Sequence, residues 1–458
     1  MEKEKNNEAG KEFKEFSSYF IKKFENYLKE YDWINTSFNG KERAVYYLWK
    51  KQNKENNNDD VIFIKQIKLF FEENIIKEIK DILKEKDIKS DQEIKKENSI
   101  NNYIIKEIKK IYKENIEQQK LKGNKNINEM ILKEKNIDKV IQKIIKEKIK
   151  EINQETLKEI YFLVLLRQNK ENYFSKLNEI KIFDDKQYVF LIFRENKISL
   201  NMLMETINCQ YFENEIDINL IIFHICLELY YLHFNNIIHN DIKPSNILIS
   251  NESPIISLCD FGAMRYEGEI SNEYTKFYAA PEFFFYGKRN NKSDMWSLGI
   301  IMILLFYTRN ISKLISDLDK NEFFSNSDKN KKKEELLSKL DEKPREELLS
   351  EIGIKRIYDS SKEEENKINY EKIKEIVKDE KAFNLIEKLV AFNPDKRYNS
   401  EDALKSDYLI DIYKESHFEF DKLEILITYN KINELKDEKD FIEIINELDS
   451  KLEEFNKL

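Results

Sequence analysis

The chain has 458 residues, of which 41% are hydrophobic and 12% aromatic, so it exceeds one ordinary domain and can bury a sizeable core. The net charge of −9 comes from acids and bases interspersed along the chain, and no basic face argues for nucleic-acid binding. The cysteines Cys209, Cys226 and Cys259 show neither disulfide nor metal spacing, as in a reducing compartment. The polar N-terminus has no signal sequence, and the longest apolar run, 298–307, is too short to span a bilayer. These properties predict a soluble, cytoplasmic protein that binds neither nucleic acid nor membrane.

The N-terminal part of the chain predicts a helix followed by strands. Phenylalanines recur at three-to-four spacing within 11–30, the pattern of an amphipathic helix. The runs 44–49 and 61–65 predict strands, and the polar segment 50–60 between them predicts a turn. Lys65 therefore lies at the end of a predicted strand.

Residues 68–155 predict helices rather than strands. Isoleucines form one helical stripe at 75–83 and another at 104–112. The polar segments between the stripes predict loops or disorder. This stretch is therefore predicted to be helical.

After residue 155 the pattern alternates between helix and strand. A helix that contains Glu159 leads into a β-hairpin predicted over 181–193. Helices over 200–207 and 218–233 follow, and the apolar face of the second helix leads directly into a polar loop.

Two polar loops carry the side chains suited to catalysis. Asp241, Lys243 and Asn246 lie on the first loop and Asp260 on the second, and flanking apolar runs predict that both loops sit at the ends of buried strands. In phosphoryl transfer, one carboxylate orients an attacking hydroxyl and accepts its proton, while a lysine neutralises the phosphoryl charge. An amide and a second carboxylate can hold magnesium. The loops therefore predict a phosphoryl-transfer site.

The first loop, HNDIKPSN at 239–246, resembles the catalytic loop of protein kinases, and DFG at 260–262 resembles their metal-binding motif. Later family motifs follow in order: T-x-x-Y-x-A-P-E at 275–282, the central buried helix at 292–299 and the closing motif at 392–397. The resemblance covers roughly 32–67 and 157–415. It implies an α+β, two-lobed protein-kinase-like fold, with a small β-rich N-lobe that carries a large helical insertion and a mostly helical C-lobe.

The resemblance implies a catalytic role for each polar loop residue. Asp241 would orient the substrate hydroxyl as the base, and Lys243 would be its charge-neutralising partner. Asn246 and Asp260 would ligate Mg²⁺, a hard ion that prefers oxygen ligands. A lysine at 243 is similar to serine/threonine kinases, since tyrosine kinases have a different pattern after the catalytic aspartate.

The resemblance also implies contacts to ATP. Leu248 would form the floor under the adenine, with Val45 above it. Lys65 would contact the α- and β-phosphates, and Glu159 on the following helix would pair with Lys65. Gly40 is all that remains of the family's glycine-rich loop, so fewer backbone N–H groups can approach phosphate closely.

Two of these assignments have alternatives. Lys143 superficially resembles the strand lysine, but the apolar residues around it repeat with helical period and no pair of strands precedes it. Glu78 is the alternative to Glu159, but it lies only thirteen residues after Lys65 and lacks a strand downstream.

The chain departs from the family at several further positions. Phe63 stands where the family has a small residue that lines the adenine pocket. Asn240 replaces the arginine that pairs with an activation-loop phosphate, which argues against control by that phosphate. Residues 311–372 are similar in place to the expanded insert of cyclin-dependent and mitogen-activated kinases, whereas Ala279 replaces the arginine those groups carry before A-P-E.

The resulting domain prediction has four parts, two of which carry insertions. They are a helical extension at 1–31, an N-lobe at 32–196 with its insertion at about 68–155, a C-lobe at 197–415 with a charged insert at about 311–372, and a helical tail at 416–458. The tail ends in an apolar helical stripe, which predicts either docking on the chain's own kinase body or a coiled-coil partner site.

The predicted function is that of a serine/threonine protein kinase, which transfers the γ-phosphoryl group of ATP to protein hydroxyls with Mg²⁺. The segment 275–282 argues against a small-molecule kinase, since it shapes a protein-substrate groove in the family. The alternative function is a pseudokinase that binds a protein partner through its helical insertion or tail. The poor glycine loop, Phe63 and Asn240 favour this alternative. Retention of five polar residues disfavours it: Lys65, Asp241, Lys243, Asn246 and Asp260.

Overall fold

A computed structural model of the chain describes residues 31–39, 44–51, 61–68, 150, 153–169, 174–182, 188–194, 197–206, 218–250, 256–269, 274–286, 289–320, 326–354, 368–416, 422–424, 426 and 428–457. For the first two of these ranges only the backbone is described. The predicted N-terminal helix, both isoleucine stripes, and Gly40, Glu78 and Lys143 lie outside the described residues.

The described residues form small sheets and a majority of helices, as predicted for an α+β chain. The strands are β1 (Tyr31–Asn39), β2 (Ala44–Lys51), β3 (Val61–Lys68), β4 (Leu177–Ile182), β5 (Tyr188–Phe193), β6 (Lys197–Ser199), β7 (Ile237–Ile238), β8 (Ile247–Ser250), β9 (Ile256–Leu258) and β10 (Arg265–Tyr266). The main helices are α1 (153–166), α2 (Leu200–Thr206), α3 (Ile218–Phe234), α4 (Pro281–Tyr286), α5 (Asn291–Lys320), α6 (Asn326–Ser338), α7 (Glu342–Glu351), α8 (Tyr370–Ile376), α9 (Glu380–Leu389), α10 (Ser400–Leu404), α11 (Ile410–Glu415), α12 (Thr428–Asn433) and α13 (Glu438–Phe455).

The chain divides into two compact units. Unit 1 comprises 1–164, 177–195 and 426–458, and unit 2 comprises 165–176 and 196–425. Unit 1 is therefore assembled from three separate stretches of the chain.

Unit 1 is built on an antiparallel sheet with the strand order β1-β2-β3-β5-β4. All six residues of β5 are buried, which suits its continuous apolar sequence YVFLIF and its place between β3 and β4. The predicted strands at 44–49 and 61–65 are confirmed, and the hairpin begins four residues earlier than predicted, at Leu177. In the register of β3, Lys65 lies opposite Tyr46 of β2 and Leu191 of β5.

The end of the chain belongs to unit 1. The sequence identifies a stripe of α13 at Ile445, Leu448, Leu452 and Phe455. Its first three residues are no more than 2% exposed, and Phe455 is half-buried. Asp437 starts this helix by accepting a hydrogen bond from the backbone N–H three residues on (3.0 Å). Because most of the stripe is buried within unit 1, these residues favour docking on the chain's own fold over a coiled-coil partner site.

Unit 2 contains two small sheets, β10-β7 and β6-β8-β9, among helices α2 to α11. Its long helix α5 has an apolar stretch at 298–306, and the residues of this stretch are buried. By length and composition Asn291–Leu318 could cross a membrane, but 72% of its most apolar window is buried inside the fold, as expected for a core helix.

Gly299 of α5 allows a close approach to the end of α9 within this core. A Cβ atom at this position would lie 2.7 Å from Val390 Cγ1 and 2.9 Å from Leu389 Cβ. Leu389 is the last residue of α9 and Val390 directly follows it, so the absence of a side chain lets α5 pack against the end of α9.

We expect Gly299→Ala to lower the free energy of unfolding by about 1–3 kcal/mol, because overpacking outweighs the gain of roughly 1 kcal/mol in helix propensity. Urea denaturation of the full chain measures this change. The same substitution in a Val390→Ala background should cost less, since one of the two clashing groups is gone. An equal cost in both backgrounds would contradict this packing argument.

Candidate active site

The catalytic-loop residues form a compact hydrogen-bonded group in unit 2. The loop leaves β7, passes Asp241 and Lys243, makes a 3-10 turn at Pro244–Asn246 and enters β8. Lys243 Nζ lies 2.6 Å from Asp241 Oδ2. The Thr275 hydroxyl donates to Asp241 Oδ1 (2.6 Å) and accepts from Lys243 Nζ (3.1 Å). The structure therefore brings the predicted base and its lysine together, with Thr275 as a third member.

Asn246 holds Asp241 from the other side. Its Nδ2 donates to the carbonyl oxygen of Asp241 (2.8 Å) and to Asp241 Oδ2 (3.1 Å), and the residue is only 4% exposed. This orientation uses the amide hydrogens and leaves Oδ1 as the atom that can bind a cation. The backbone N–H of Cys259 donates to the carbonyl of Asn246 (3.0 Å), which ties the second polar loop to the first.

Asp260 follows Cys259 with a left-handed backbone, φ 61°, which aspartate tolerates better than most residues. The next side chain, Phe261, is completely buried and packs edge-on against the rings of His239 (5.8 Å) and Phe174 (6.3 Å). This apolar anchor fixes the position of the loop while Asp260 itself stays partly exposed.

The donor chemistry of Asn246 and Asp260 fits a magnesium ion. An amide oxygen and a carboxylate are hard oxygen ligands, and Mg²⁺ commonly takes only one or two such groups from the protein, with phosphate and water completing its shell. Among the described residues, no cluster of three or more His, Cys, Asp or Glu forms a self-sufficient metal site.

Asp294 supports the catalytic loop from α5. Its carboxylate, 1% exposed, accepts hydrogen bonds from the backbone N–H groups of His239 (2.8 Å) and Asn240 (2.9 Å) and lies 3.1 Å from His233 Nε2. Burial alone would raise the pKa of Asp294, but the hydrogen bonds and positive partial charges of His233 and His239 lower it below the usual value. The carboxylate is therefore ionised and holds the loop through charge-assisted bonds.

Asn240 connects the catalytic loop directly to the segment after the DFG sequence. At φ 68° its Nδ2 donates to the backbone carbonyl of Ala263 (3.0 Å), directly after the DFG sequence. Arg289 Nη1 in turn donates to the Asn240 carbonyl (3.2 Å). The catalytic loop is thus joined to the start of the following segment by a neutral hydrogen bond.

The end of that segment is fixed by a buried ion pair. Arg397 Nη1 and Nη2 contact Glu282 Oε1 (2.7 Å) and Oε2 (3.0 Å), with exposures of 1% and 4% for the two residues. Further guanidinium bonds reach the carbonyls of Ala391 and Lys292. The bidentate geometry and the additional carbonyl acceptors compensate the guanidinium and the carboxylate for the loss of their hydration.

In unit 1, Lys65 and Glu159 form the predicted pair. Lys65 Nζ lies 2.6 Å from Glu159 Oε1, and the two side chains are 7% and 11% exposed. The pair joins β3 to α1. The roles of both residues toward a nucleotide stay predictions.

The remaining predicted nucleotide contacts are only partly described. Leu248 is half-buried in β8, opposite Ser199 and Ser257. Val45 lies in β2, where only the backbone is described, and Gly40 lies outside the described residues.

The sequence analysis did not single out Glu228 of α3. This glutamate is completely buried, and its Oε2 accepts a 2.6 Å hydrogen bond from the backbone N–H of Leu258, the last residue of β9. Burial raises the pKa of Glu228 well above 4.5, against the weaker opposing effects of that hydrogen bond and of Lys197. The only available signal was an acidic residue inside an otherwise apolar helical run.

Comparison with known proteins identifies the family. The model of the protein kinase domain matches residues 122–409, which is more than half of the chain. The chain therefore belongs to the protein kinase family, and the predicted family and fold class are confirmed. The matched range begins after β3 and does not include Lys65.

Curated relatives include three mitogen-activated protein kinases. Mitogen-activated protein kinase 15 of Xenopus laevis is 28% identical over 244 residues, which are 51% of this chain and 39% of that protein. Mitogen-activated protein kinase 14 of Xenopus laevis is 29% identical over 233 residues, 50% of this chain and 59% of that protein. Mitogen-activated protein kinase mpkC of Emericella nidulans is 30% identical over 184 residues, 38% of this chain and 40% of that protein. The chain thus spans 39–59% of the length of these relatives.

We expect Glu228→Gln to stabilise the protein at pH 7 more than at pH 4.5. Because the pKa of Glu228 is raised in the folded protein, its contribution to stability is fully present below the unfolded value of 4.5 and is lost as the pH rises toward the folded value. Glutamine keeps an acceptor for the Leu258 N–H but does not ionise. Urea unfolding across this pH range measures the difference.

Glu380→Gln, at an exposed position on α9, is the matched control and should leave the pH dependence of stability unchanged. Parallel pH profiles for wild type and Glu228→Gln would mean that Glu228 is ionised in the fold.

Proposed function

We propose that the chain is a serine/threonine protein kinase that transfers the γ-phosphoryl group of ATP to protein hydroxyls with Mg²⁺. The observation that carries this proposal is the hydrogen-bonded group of Asp241, Lys243, Asn246 and Thr275. It joins a carboxylate, an ammonium and an amide, which are the groups that phosphoryl transfer uses. An intracellular location, where ATP is available, is part of the proposal.

Asp241 is the proposed base. Its Oδ1 already accepts a hydrogen bond from the aliphatic hydroxyl of Thr275 at 2.6 Å, so the carboxylate is oriented to receive a hydroxyl donor. A substrate serine or threonine would present the same group. Lys243, 2.6 Å from the other carboxylate oxygen, supplies positive charge beside the accepted proton and the phosphoryl group.

Asn246 and Asp260 are the proposed magnesium ligands. When bound, the ion would neutralise charge on the β- and γ-phosphate oxygens. Asn246 is fixed for this role by its two bonds to Asp241, and Asp260 by the buried Phe261 beside it. Both ligands therefore need little reorganisation.

Lys65 is the proposed phosphate contact in unit 1. Glu159 neutralises the buried ammonium and holds it in one position, 2.6 Å away. This support matters more here than in most kinases, because the glycine-rich loop of the sequence is poor.

The names of the relatives, mitogen-activated protein kinases, support a protein substrate. Lys243, two residues after the base, supports serine or threonine as the acceptor. The pseudokinase alternative requires that these residues persist without catalysis.

We expect Asp241→Asn to lower the rate of phosphate transfer by about 10²–10⁴-fold, because the amide cannot accept the hydroxyl proton. Asp260→Ala should abolish magnesium-dependent transfer. Asp395→Asn, an exposed aspartate of unit 2, is the matched control and should keep the wild-type rate. Radiolabelled transfer from ATP to the chain itself and to a generic basic protein measures all four proteins.

Absence of transfer by the wild type, together with absence of a thermal shift on addition of ATP and Mg²⁺, would reject the kinase proposal. A magnesium-dependent thermal shift without transfer would support the pseudokinase alternative.

We further expect activity without phosphate on residues 263–279. The hydrogen bond from Asn240 to Ala263 takes the place of an arginine–phosphate pair, so phosphatase treatment should leave the rate unchanged. Asn240→Gly keeps the left-handed backbone but removes the amide, and should lower the rate about fivefold, the value of one hydrogen bond of roughly 1 kcal/mol. A phosphatase-sensitive rate would contradict this role of Asn240.

A further inference from the structure

The last part of the chain lies outside the family match yet contacts the helix that carries Glu159. The match ends at residue 409, whereas α12 and α13 follow at Thr428–Asn433 and Glu438–Phe455. Both helices belong to unit 1. The contacts between them and α1 are therefore a feature of this chain and not of the matched domain.

Tyr429 of α12 is the central contact. Its ring centroid lies 4.8 Å from that of Tyr161 and 6.0 Å from that of Phe162, both in tilted arrangements, and Lys158 Nζ lies 5.9 Å from the ring centroid. Tyr429 is 6% exposed, and Tyr161 and Phe162 are completely buried. Aromatic pairs at such distances contribute beyond their buried area.

These three partners of Tyr429 lie on one face of α1. Lys158, Tyr161 and Phe162 are spaced i, i+3 and i+4, so one ring can contact all of them. Glu159 directly follows Lys158, about 100° around the helix axis. A rotation of α1 that broke the contacts of Tyr429 would therefore also turn Glu159 away from Lys65.

A polar contact fixes the beginning of α1 to the same element. Gln154 Nε2 donates to the carbonyls of Ile432 (2.9 Å) and Asn433 (3.0 Å), at the end of α12. Gln154 gives both carbonyls a side-chain donor in the last turn of α12, where the carbonyls lack the usual intrahelical partner. The Ile432 carbonyl also accepts a hydrogen bond from the backbone N–H of Leu435 (3.3 Å). One short helix thus holds α1 at Gln154 and again about two turns further on, at Tyr161 and Phe162.

The second tail helix is anchored independently on the sheet of unit 1. Asn456, directly after α13, donates through Nδ2 to the carbonyl of Asn178 in β4 (3.0 Å). The buried apolar residues of α13 are Phe441, Ile444, Ile445, Leu448 and Leu452. Because α13 is fixed to the sheet that contains Lys65, α12 has a rigid support from which to hold α1.

We propose that Tyr429 is a positioning residue, which keeps α1 in the orientation that pairs Glu159 with Lys65. This inference rests on the proposed function, in which Lys65 binds the nucleotide. It assigns the C-terminal helices a part in positioning Lys65 through Glu159. Tyr429 acts through Glu159 and contacts neither ATP nor the protein substrate.

Steady-state phosphate transfer by the full chain tests the proposal. Tyr429→Ala should lower kcat/KM for ATP by about tenfold or more, since small misplacements of a charged group have large effects on rate. Tyr429→Phe keeps the ring and should restore activity. In a Glu159→Ala background, Tyr429→Ala should cause no further loss, because the group through which it acts is absent.

Tyr408→Ala is the matched control for a general loss of stability. Tyr408 is 7% exposed, against 6% for Tyr429, and belongs to unit 2. Its substitution should lower stability without dependence on Glu159. If Tyr429→Ala does not fold, Gln154→Ala removes only two hydrogen bonds at the same junction and should give the same pattern with a smaller loss.

A second measurement does not depend on catalysis. Acetylation of Lys65, quantified by mass spectrometry relative to the exposed Lys396, reports whether the ammonium is still paired and buried. Tyr429→Ala should accelerate this labelling, and Tyr408→Ala should not. A wild type that transfers no phosphate but shows this change would reject the proposed function and keep the positioning role.

Two results would overturn the positioning role itself. One is an equal loss of kcat/KM from Tyr429→Ala with and without Glu159. The other is an unchanged labelling rate of Lys65 in Tyr429→Ala, which would mean that the ion pair forms without the C-terminal helices.

Discussion

The ionised carboxylate of Asp294 is the constraint on which the catalytic part of unit 2 depends. A carboxylate that is 1% exposed is costly unless hydrogen-bond donors surround it, and the backbone N–H groups of His239 and Asn240 are those donors. To aim both groups at one carboxylate, the backbone takes a left-handed conformation at Asn240. That conformation sets the direction in which Asp241 leaves the loop. The position of Asp241, the proposed base, therefore depends on main-chain geometry.

Hydrogen bonds connect this loop to the segment that follows the DFG sequence. Asn240 binds the start of the segment through Ala263, and Asp241 binds Thr275 near its end. Beyond Thr275, the buried pair of Glu282 and Arg397 satisfies two opposite charges with each other. Each of these bonds joins residues far apart in sequence, and none needs an added phosphate. The proposed catalytic geometry is thus a property of the folded chain alone.

The parts of this arrangement that the sequence predicted are those with local signals. Asp241, Lys243, Asn246 and Asp260 lie within two short motifs. The resemblance to protein kinases, together with the strand and helix patterns around Lys65 and Glu159, predicted the pairing of these two residues over a long intervening stretch. Other contacts had no such signal. A tyrosine at 429 is one of many aromatics in helical patterns, and nothing local indicates that it reaches Tyr161. A glutamate at 228 within an apolar helix predicts an exposed side chain as readily as a buried one, so only the packing reveals it. The predicted roles of Gly40 and Val45 stay predictions.

The assembly of unit 1 from three separate stretches has a consequence for synthesis of the chain. Most of unit 2 is continuous, at 196–425, so its residues leave the ribosome together and can pack as they emerge. Unit 1 cannot be completed until later, because α12 and α13 are synthesised after all of unit 2. Until then Tyr161 and Phe162 on α1 lack their contacts with Tyr429. Forming these contacts requires two segments that are separated in sequence by nearly all of unit 2 to meet. The half of the fold that is translated first is therefore the half that is completed last, and its apolar surface is what a nascent-chain chaperone would meet.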